Sequence, residues 1–231
     1  GRAHALQARD QSVPRPMAYA RLGLSRTWRT TRQLITFPQL LLFVVAFLFY
    51  NDGVQTVIKI TPVFASETLD LSATTIAAVF VIIQLVAFFG ALAFGRLAEH
   101  VGAQRAILIS IAGWTLITVG GYFMPSGQAA PFLVLGVFAG LVLGGVQALS
   151  RSLYGSMIPE EASAEFFGFY SVFSRFSAIF GPLIFAVVDI ATGSTRFAIL
   201  FLAAFFLIGG SLLTVVDVEA ARASRNRWVL D

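Results

Sequence analysis

Charged residues vanish from long stretches of this chain. None occurs between residues 33 and 51, between 71 and 95, or between 106 and 150. A helix needs about 20 apolar residues to cross the hydrocarbon core of a bilayer. The run from 106 to 150 is too long for one crossing, so it must turn. The segment Met124-Pro125-Ser126-Gly127-Gln128-Ala129-Ala130-Pro131 supplies the turn chemistry. The pattern predicts spans over residues 36–63, 72–97, 104–123, 131–154, 164–190 and 195–216, with Ala191-Thr192-Gly193-Ser194 between the last two. The expected fold is an all-α membrane protein of six transmembrane helices.

Composition agrees. Hydrophobic residues make up 57% of the chain and charged residues 12%, where globular domains are about a quarter charged. The net charge of +4 does not point to nucleic acid, because the positive charge is mostly Arg lying between apolar runs. Every Arg except Arg175 and Arg196 falls on one side of the predicted membrane, and the other side holds only Lys59 and Arg196. Such a bias sets orientation and supports an even number of spans, with both termini cytoplasmic. The expected location is a bacterial inner (plasma) membrane. There is no Cys, which excludes disulfides, thiolate metal sites and Cys nucleophiles. His4 and His100 are too far apart in sequence to suggest a metal site, and no catalytic triad, P-loop or nucleotide fingerprint occurs. No enzyme activity, cofactor or metal is expected.

Residues 1–35 form a basic cytoplasmic linker, and residues 217–231 a short charged tail. Within the linker, Tyr19, Leu22, Leu24 and Trp28 suit either a short amphipathic helix on the membrane surface or a flexible connection. A non-Met start and a long basic lead-in are read as a chain that begins inside a longer protein.

Three motifs carry more than hydropathy. Residues 95–105 read G-x-L-A-[acid]-x-x-G-x-x-R, through Gly95, Glu99, Gly102 and Arg105. Read plainly, this is a charged connecting loop in which Gly102 supplies a tight turn and Glu99 pairs with a neighbouring cation or a helix N-terminus. Its spacing resembles the signature loop of the major facilitator superfamily. Residues 144–154 (GGVQALSRSLY), followed by Ile158-Pro159 and residues 164–170 (AEFFGFY), sharpen the likeness, as do residues 50–58 (YNDGVQTVI). Together they resemble the C-terminal half of the "unknown major facilitator" family, which is related to the vacuolar amino-acid effluxers of fungal autophagy. The resemblance covers residues 36–216. It implies half of a twelve-helix fold, with a missing N-terminal six-helix half as partner.

Polar residues inside the spans are the candidates for function. Asp52 lies mid-span, where a carboxylate is costly unless it faces protein or water. Gln55 and Lys59 follow at i+3 and i+7, on the same helix face, and Asn51 adds an amide. The expectation is a cavity-facing cluster that binds solute, with Asp52 a proton carrier. A structural ion pair or helix–helix hydrogen bond is the rival reading, and Lys59 alone suits snorkelling. Arg175, flanked by Ser171 and Ser174, would contact an anionic substrate group or neutralise Asp52. Gln147 and Arg151 suit either a gate or an interfacial anchor, and Gln84 a packing hydrogen bond. Gly136, Gly140 and Gly144 lie four apart, which favours close helix packing, and Gly181-Pro182 can bend span five.

The implied function is secondary transport of a small solute, with an amino acid or similar metabolite as the leading class and protons as candidate coupling ion. The alternatives are a non-transporting polytopic scaffold or receptor, and a six-helix protein working as a homodimer.

Overall fold

The computed structural model describes residues 37–225, apart from the side chains of residues 176–178. The predicted linker and the end of the tail lie outside the described residues. Among the described residues, six helical segments are long and apolar enough to cross a membrane. The first five spans are helix α1 (Pro38–Val63), α2 (Ala73–Val101), α3 (Ala103–Tyr122), α4 (Ala129–Met157) and α5 (Ser163–Thr192). The sixth is divided into α6 (Thr195–Phe201) and α7 (Ala203–Val215), and a short α8 (Val218–Ser224) follows. The six predicted spans are therefore found, each within a few residues of its expected limits.

Local chemistry explains the boundaries. Pro38 opens α1, where its missing N–H costs nothing. Ser72 caps α2 by accepting the Thr75 N–H at 3.2 Å. Asp217 caps α8 through the Ala220 N–H at 2.9 Å. Gly193, in the left-handed region at φ 64°, ends α5.

The largest departure from expectation is the charged segment at 95–105. It is helical except at Gly102, whose φ of 88° makes the whole corner between α2 and α3. Gly95 and Glu99 belong to α2 and Arg105 to α3. The helix runs on past its apolar stretch because charged residues cost nothing in helical form once they reach water. One residue suffices to turn only because Gly tolerates that backbone conformation.

Hydrogen bonds identify the two ends of the bundle. At one end Gln104 donates to the Leu213 and Val216 carbonyls (2.7 and 2.8 Å), Gln39 accepts from the Asp217 N–H (2.9 Å), and Arg222 reaches Ser156 (3.2 Å). At the other end Arg196 donates to the Tyr122 and Met124 carbonyls, while the Leu69 carbonyl accepts from the Gly127 N–H at 2.7 Å. Arg196 thus satisfies carbonyls left free where α3 stops.

Between these ends α1 is central. The most apolar stretch of its span is 56% buried, against 17% for α2 and 13% for α5. Helix α1 packs on α5 and α7, α3 packs on α4 and α7, and α2 packs chiefly on α4. Helices α2 and α5 therefore flank the bundle. They leave Leu85, Phe88 and Phe89 of one, and Ile179, Leu183 and Ile190 of the other, exposed. Apolar faces this extensive belong in lipid or against other membrane helices, and the protein is an integral membrane protein.

The α2–α4 contact is the tightest. A Cβ on Gly136 would lie 2.8 Å from Val79 Cγ1, and one on Gly140 would lie 2.8 Å from the Ile83 carbonyl. One on Gly144 would collide with the Ala87 carbonyl and lie 2.6 Å from the Ala91 nitrogen. Gly90 meets α4 at Leu141 in the same way. The four-residue glycine spacing is a packing seam. Gly144→Val should therefore destabilise the fold by about 1–3 kcal/mol or more, the cost of overpacking. Gly168→Ala, where a Cβ meets open space, should not. Thermal unfolding of the purified variants checks this; equal midpoints would show that the seam does not hold α4.

Candidate functional site

Three helices each carry a pair of polar or aromatic residues four apart: Asn51 and Gln55 on α1, Gln147 and Arg151 on α4, Tyr170 and Ser174 on α5. Residues at that spacing share a helix face. The bundle turns all three faces toward one cleft of about 190 Å³, which Phe47, Tyr50, Val54 and Val146 complete.

The cleft is held by contacts within its own wall. The Tyr50 and Ser150 hydroxyls hydrogen-bond at 2.8 Å, tying α1 to α4. Asn51 Nδ2 donates to the Ser174 carbonyl at 3.4 Å, tying α1 to α5. Tyr170 stacks on Phe47 with ring centroids 4.5 Å apart and lies 4.8 Å from Tyr154. Tyr154 donates to the Phe166 carbonyl at 3.0 Å. The Arg151 guanidinium lies 5.4 Å from the centre of the Phe167 ring, within cation–π range. Amides, hydroxyls and one guanidinium surrounded by aromatic rings can hydrogen-bond a polar solute and offer a positive charge to an anionic group.

Asn51, Gln55, Gln147 and Arg151 are thus brought together. Asp52 is not with them. One residue on from Asn51, it turns about 100° around the helix and faces α5 and α7. It is 3% exposed there, beside Thr56. A Cβ on Gly181 of α5 would lie 3.0 Å from Asp52 Oδ1 and collide with Thr56 Oγ1. Both oxygens are buried; Thr56 Oγ1 has no hydrogen-bond partner among the described residues, and Asp52 has the Gly181 backbone beside it. Within the i, i+3, i+7 grouping of Asp52, Gln55 and Lys59, Gln55 opens on the cleft, Asp52 lies about 60° around α1 from it and packs on α5, and Lys59 is exposed and attracts the Asp52 carboxylate from two turns along the helix. Arg175 is exposed on α5 and lines neither cavity. Glu99 and Arg105 are exposed near the Gly102 corner.

Sequence reasoning missed Tyr50, Tyr170 and Ser174 as wall residues. Their signal was present in the i, i+4 pairs, but one Tyr in a span reads as an ordinary aromatic until the helices are assembled. A second cavity, of about 400 Å³ and mostly apolar, adjoins at Gln147 and includes Gln84 and Trp114 in its wall.

A family model described as "Vacuole effluxer Atg22 like" matches residues 4–226. An MFS-type transporter of Bacillus subtilis, YxiO, is 31% identical over 199 residues, which is 86% of this chain and 46% of that protein. Autophagy-related protein 22-1 of Neosartorya fischeri is 31% identical over 219 residues, 89% of this chain and 36% of that protein. The corresponding protein of Emericella nidulans is 30% identical over 93% of this chain and 38% of its own length. The chain thus spans less than half the length of these relatives. With a family match across nearly all of the helical bundle, the chain belongs to the Atg22-like family of major-facilitator-type membrane proteins.

Proposed function

We propose that the chain forms one six-helix half of a secondary transporter that moves a small polar solute by alternating access. The observation that carries the proposal is the cleft itself, with Asn51, Gln55, Gln147 and Arg151 converging from α1 and α4 in a protein whose exterior is apolar. The cleft lies between α1, α4 and α5, and the exposed apolar helices α2 and α5 flank it. Such an arrangement suits a second helical half closing over the cleft and rocking about it. The relatives named as a transporter and as autophagy proteins support the reading.

An amino acid or similar metabolite fits the wall: Arg151 for a carboxylate, the amides for the remaining polar groups. Gln147 and Arg151 would also serve as the gate. Asp52 is assigned to coupling, as a buried carboxylate able to exchange a proton, and Arg175 to the face presented to the other half. In the signature segment, Gly95, Glu99, Gly102 and Arg105 would steady one conformation against that half. The proposed setting is a bacterial inner membrane with both termini cytoplasmic, supported by the Arg distribution. A polytopic scaffold or receptor is the rival reading, and it predicts no solute movement.

The proposal is tested in proteoliposomes with the complete gene product. Arg151→Gln should reduce solute exchange roughly tenfold or more, the equivalent of one charge-assisted hydrogen bond, while thermal stability is kept. Full transport by a stable Arg151→Gln protein would remove the cleft from the solute path. Asp52→Asn should abolish proton-driven accumulation and leave exchange; unchanged accumulation would end the coupling assignment.

Orientation has its own test, to which this chain contributes no Cys of its own. A single Cys at Gly127 or Gly193 should react with an impermeant thiol reagent outside sealed cells, and one at Gly102 should not. Outside labelling of Gly102 would invert the topology.

A further inference from the structure

The second cavity, which adjoins the cleft at Gln147, is closed at one end and bordered by amides at the other. It holds about 400 Å³ and lies among α1, α2, α3, α4 and α6. On α4 its wall runs from Gln147 to Phe132, 15 residues and about 22 Å. Of all its lining residues only the two amides, Gln84 and Gln147, are exposed, so they mark its mouth. Gln147 also lines the cleft. At the far end Phe64, Phe132 and Ile199 join Leu69 and Met124 in a buried apolar cluster. That end is the one where Arg196 binds the Tyr122 and Met124 carbonyls.

We infer that this chamber receives the apolar tail of the transported solute, whose carboxylate lies in the cleft at Arg151. The inference rests on the transport reading above and narrows its solute to a hydrophobic carboxylate. Arg151 is one turn of α4, about 6 Å, from Gln147, so a carboxylate held by the guanidinium has its tail within reach of the mouth. Among the residues that line the two cavities, Arg151 alone is charged. A mouth of amides suits a boundary between a polar compartment and an apolar one. Facing lipid, the two amides would be costly. Beside the cleft, they can hydrogen-bond the polar end of the solute.

Volume sets the size of the tail. An apolar cavity of about 150 Å³ stays dry and takes up benzene. The chamber, at about 400 Å³, has more than twice that room, so a single ring leaves over half of it empty. Wall atoms that face a gap forfeit their dispersion contacts. A two-ring aryl group, or an alkyl chain of similar volume, fills the space that one ring leaves. Phe80, Leu135 and Leu143 give the wall both ring and branched aliphatic surface for such a group.

The test uses biphenyl-4-carboxylate, benzoate, which has one ring fewer, and biphenyl-4-carboxamide, which has no charge. Binding is measured by equilibrium dialysis of the complete protein in lipid nanodiscs against empty nanodiscs, with thermal unfolding as the check on folding. Biphenyl-4-carboxylate should bind saturably and at least tenfold tighter than either of the others. One buried ring and one charge-assisted hydrogen bond are each of that order. Ala139→Phe and Ile58→Trp fill the chamber from α4 and from α1. Each should erase the preference for two rings over one and keep that for carboxylate over carboxamide. Arg151→Gln should do the reverse. Equal binding of one ring and two, or a two-ring preference that survives in both folded filling variants, would overturn the inference. If Arg151→Gln still erased the charge preference, the cleft would then stand as the solute site without the chamber. A two-ring preference with no charge preference would instead remove the cleft from the solute path, and the inference with it. No saturable binding above empty nanodiscs would overturn the inference as well.

Discussion

Helices that meet inside a bilayer gain nothing by hiding apolar surface from one another, because the lipid is as apolar as they are. They must instead come close enough for backbones to touch, or share hydrogen bonds. The seam between α2 and α4 meets this demand with Gly136, Gly140 and Gly144 of α4 set against Val79, Ile83 and Ala87 of α2, and with Gly90 of α2 set against Leu141. It places α4, and everything else follows from that position. From α4, the Val142 carbonyl accepts the Ser110 hydroxyl at 2.7 Å and holds α3. Ser150 meets Tyr50 and holds α1. Gly209 of α7 then lets α7 close on α1, since a Cβ there would lie 2.8 Å from the Tyr50 nitrogen. The glycines bring the helices into reach, and the hydroxyls fix their rotation.

Polar groups buried in the spans divide accordingly. Ser110, Thr118 and Ser150 are fully buried, and each has its partner. These residues are accounted for by folding. Thr56 Oγ1 and Trp114 Nε1 are buried without partners among the described residues, and Asp52 Oδ1 has only the Gly181 backbone beside it. An unsatisfied polar atom in a dry place costs on the order of 1–3 kcal/mol. One of the three adjoins a cavity, Trp114 at the chamber beside Gln147. Stability alone would favour apolar replacements at such sites, so the residues that folding does not explain are the ones to assign to ligands.

The architecture was largely legible from hydropathy, because span length is set by the membrane and turns by Gly and Pro. The seam was legible for a related reason: small residues every four positions have few other uses in lipid. Two features were not. Leu202 carries no breaker signal, and the division of the sixth span emerges only in the assembled bundle, where α6 packs on α5 and α3 and α7 packs on α1 and α3. Nor could spacing alone decide which way Asp52 points. On a central helix every face meets protein, so a polar residue at i+1 from Asn51 can belong to a different compartment. The i, i+4 pairs on α1, α4 and α5 were the better guide, since repetition on three helices is harder to obtain by chance than one charged residue.

That placement gives α1 an unusual position. Its Asn51 side presents amides to the cleft, and Asp52, one residue on, is packed beside Thr56 against Gly181 of α5. The helix between them is rigid on the scale of one turn, so the two sides cannot move independently. Contact with α5 is close on both: Asn51 donates to the Ser174 carbonyl, and Gly181 lies against Asp52 and Thr56. Pro182 follows Gly181 inside α5, where it removes a backbone hydrogen bond and permits a bend. A change of charge or occupancy at Asp52 thus acts at the most deformable point of α5, two turns from the residue that α5 shares with the cleft. Under the proposed reading, coupling between ion and solute needs no long pathway. It follows from two adjacent residues on one helix, both braced against the same bent neighbour.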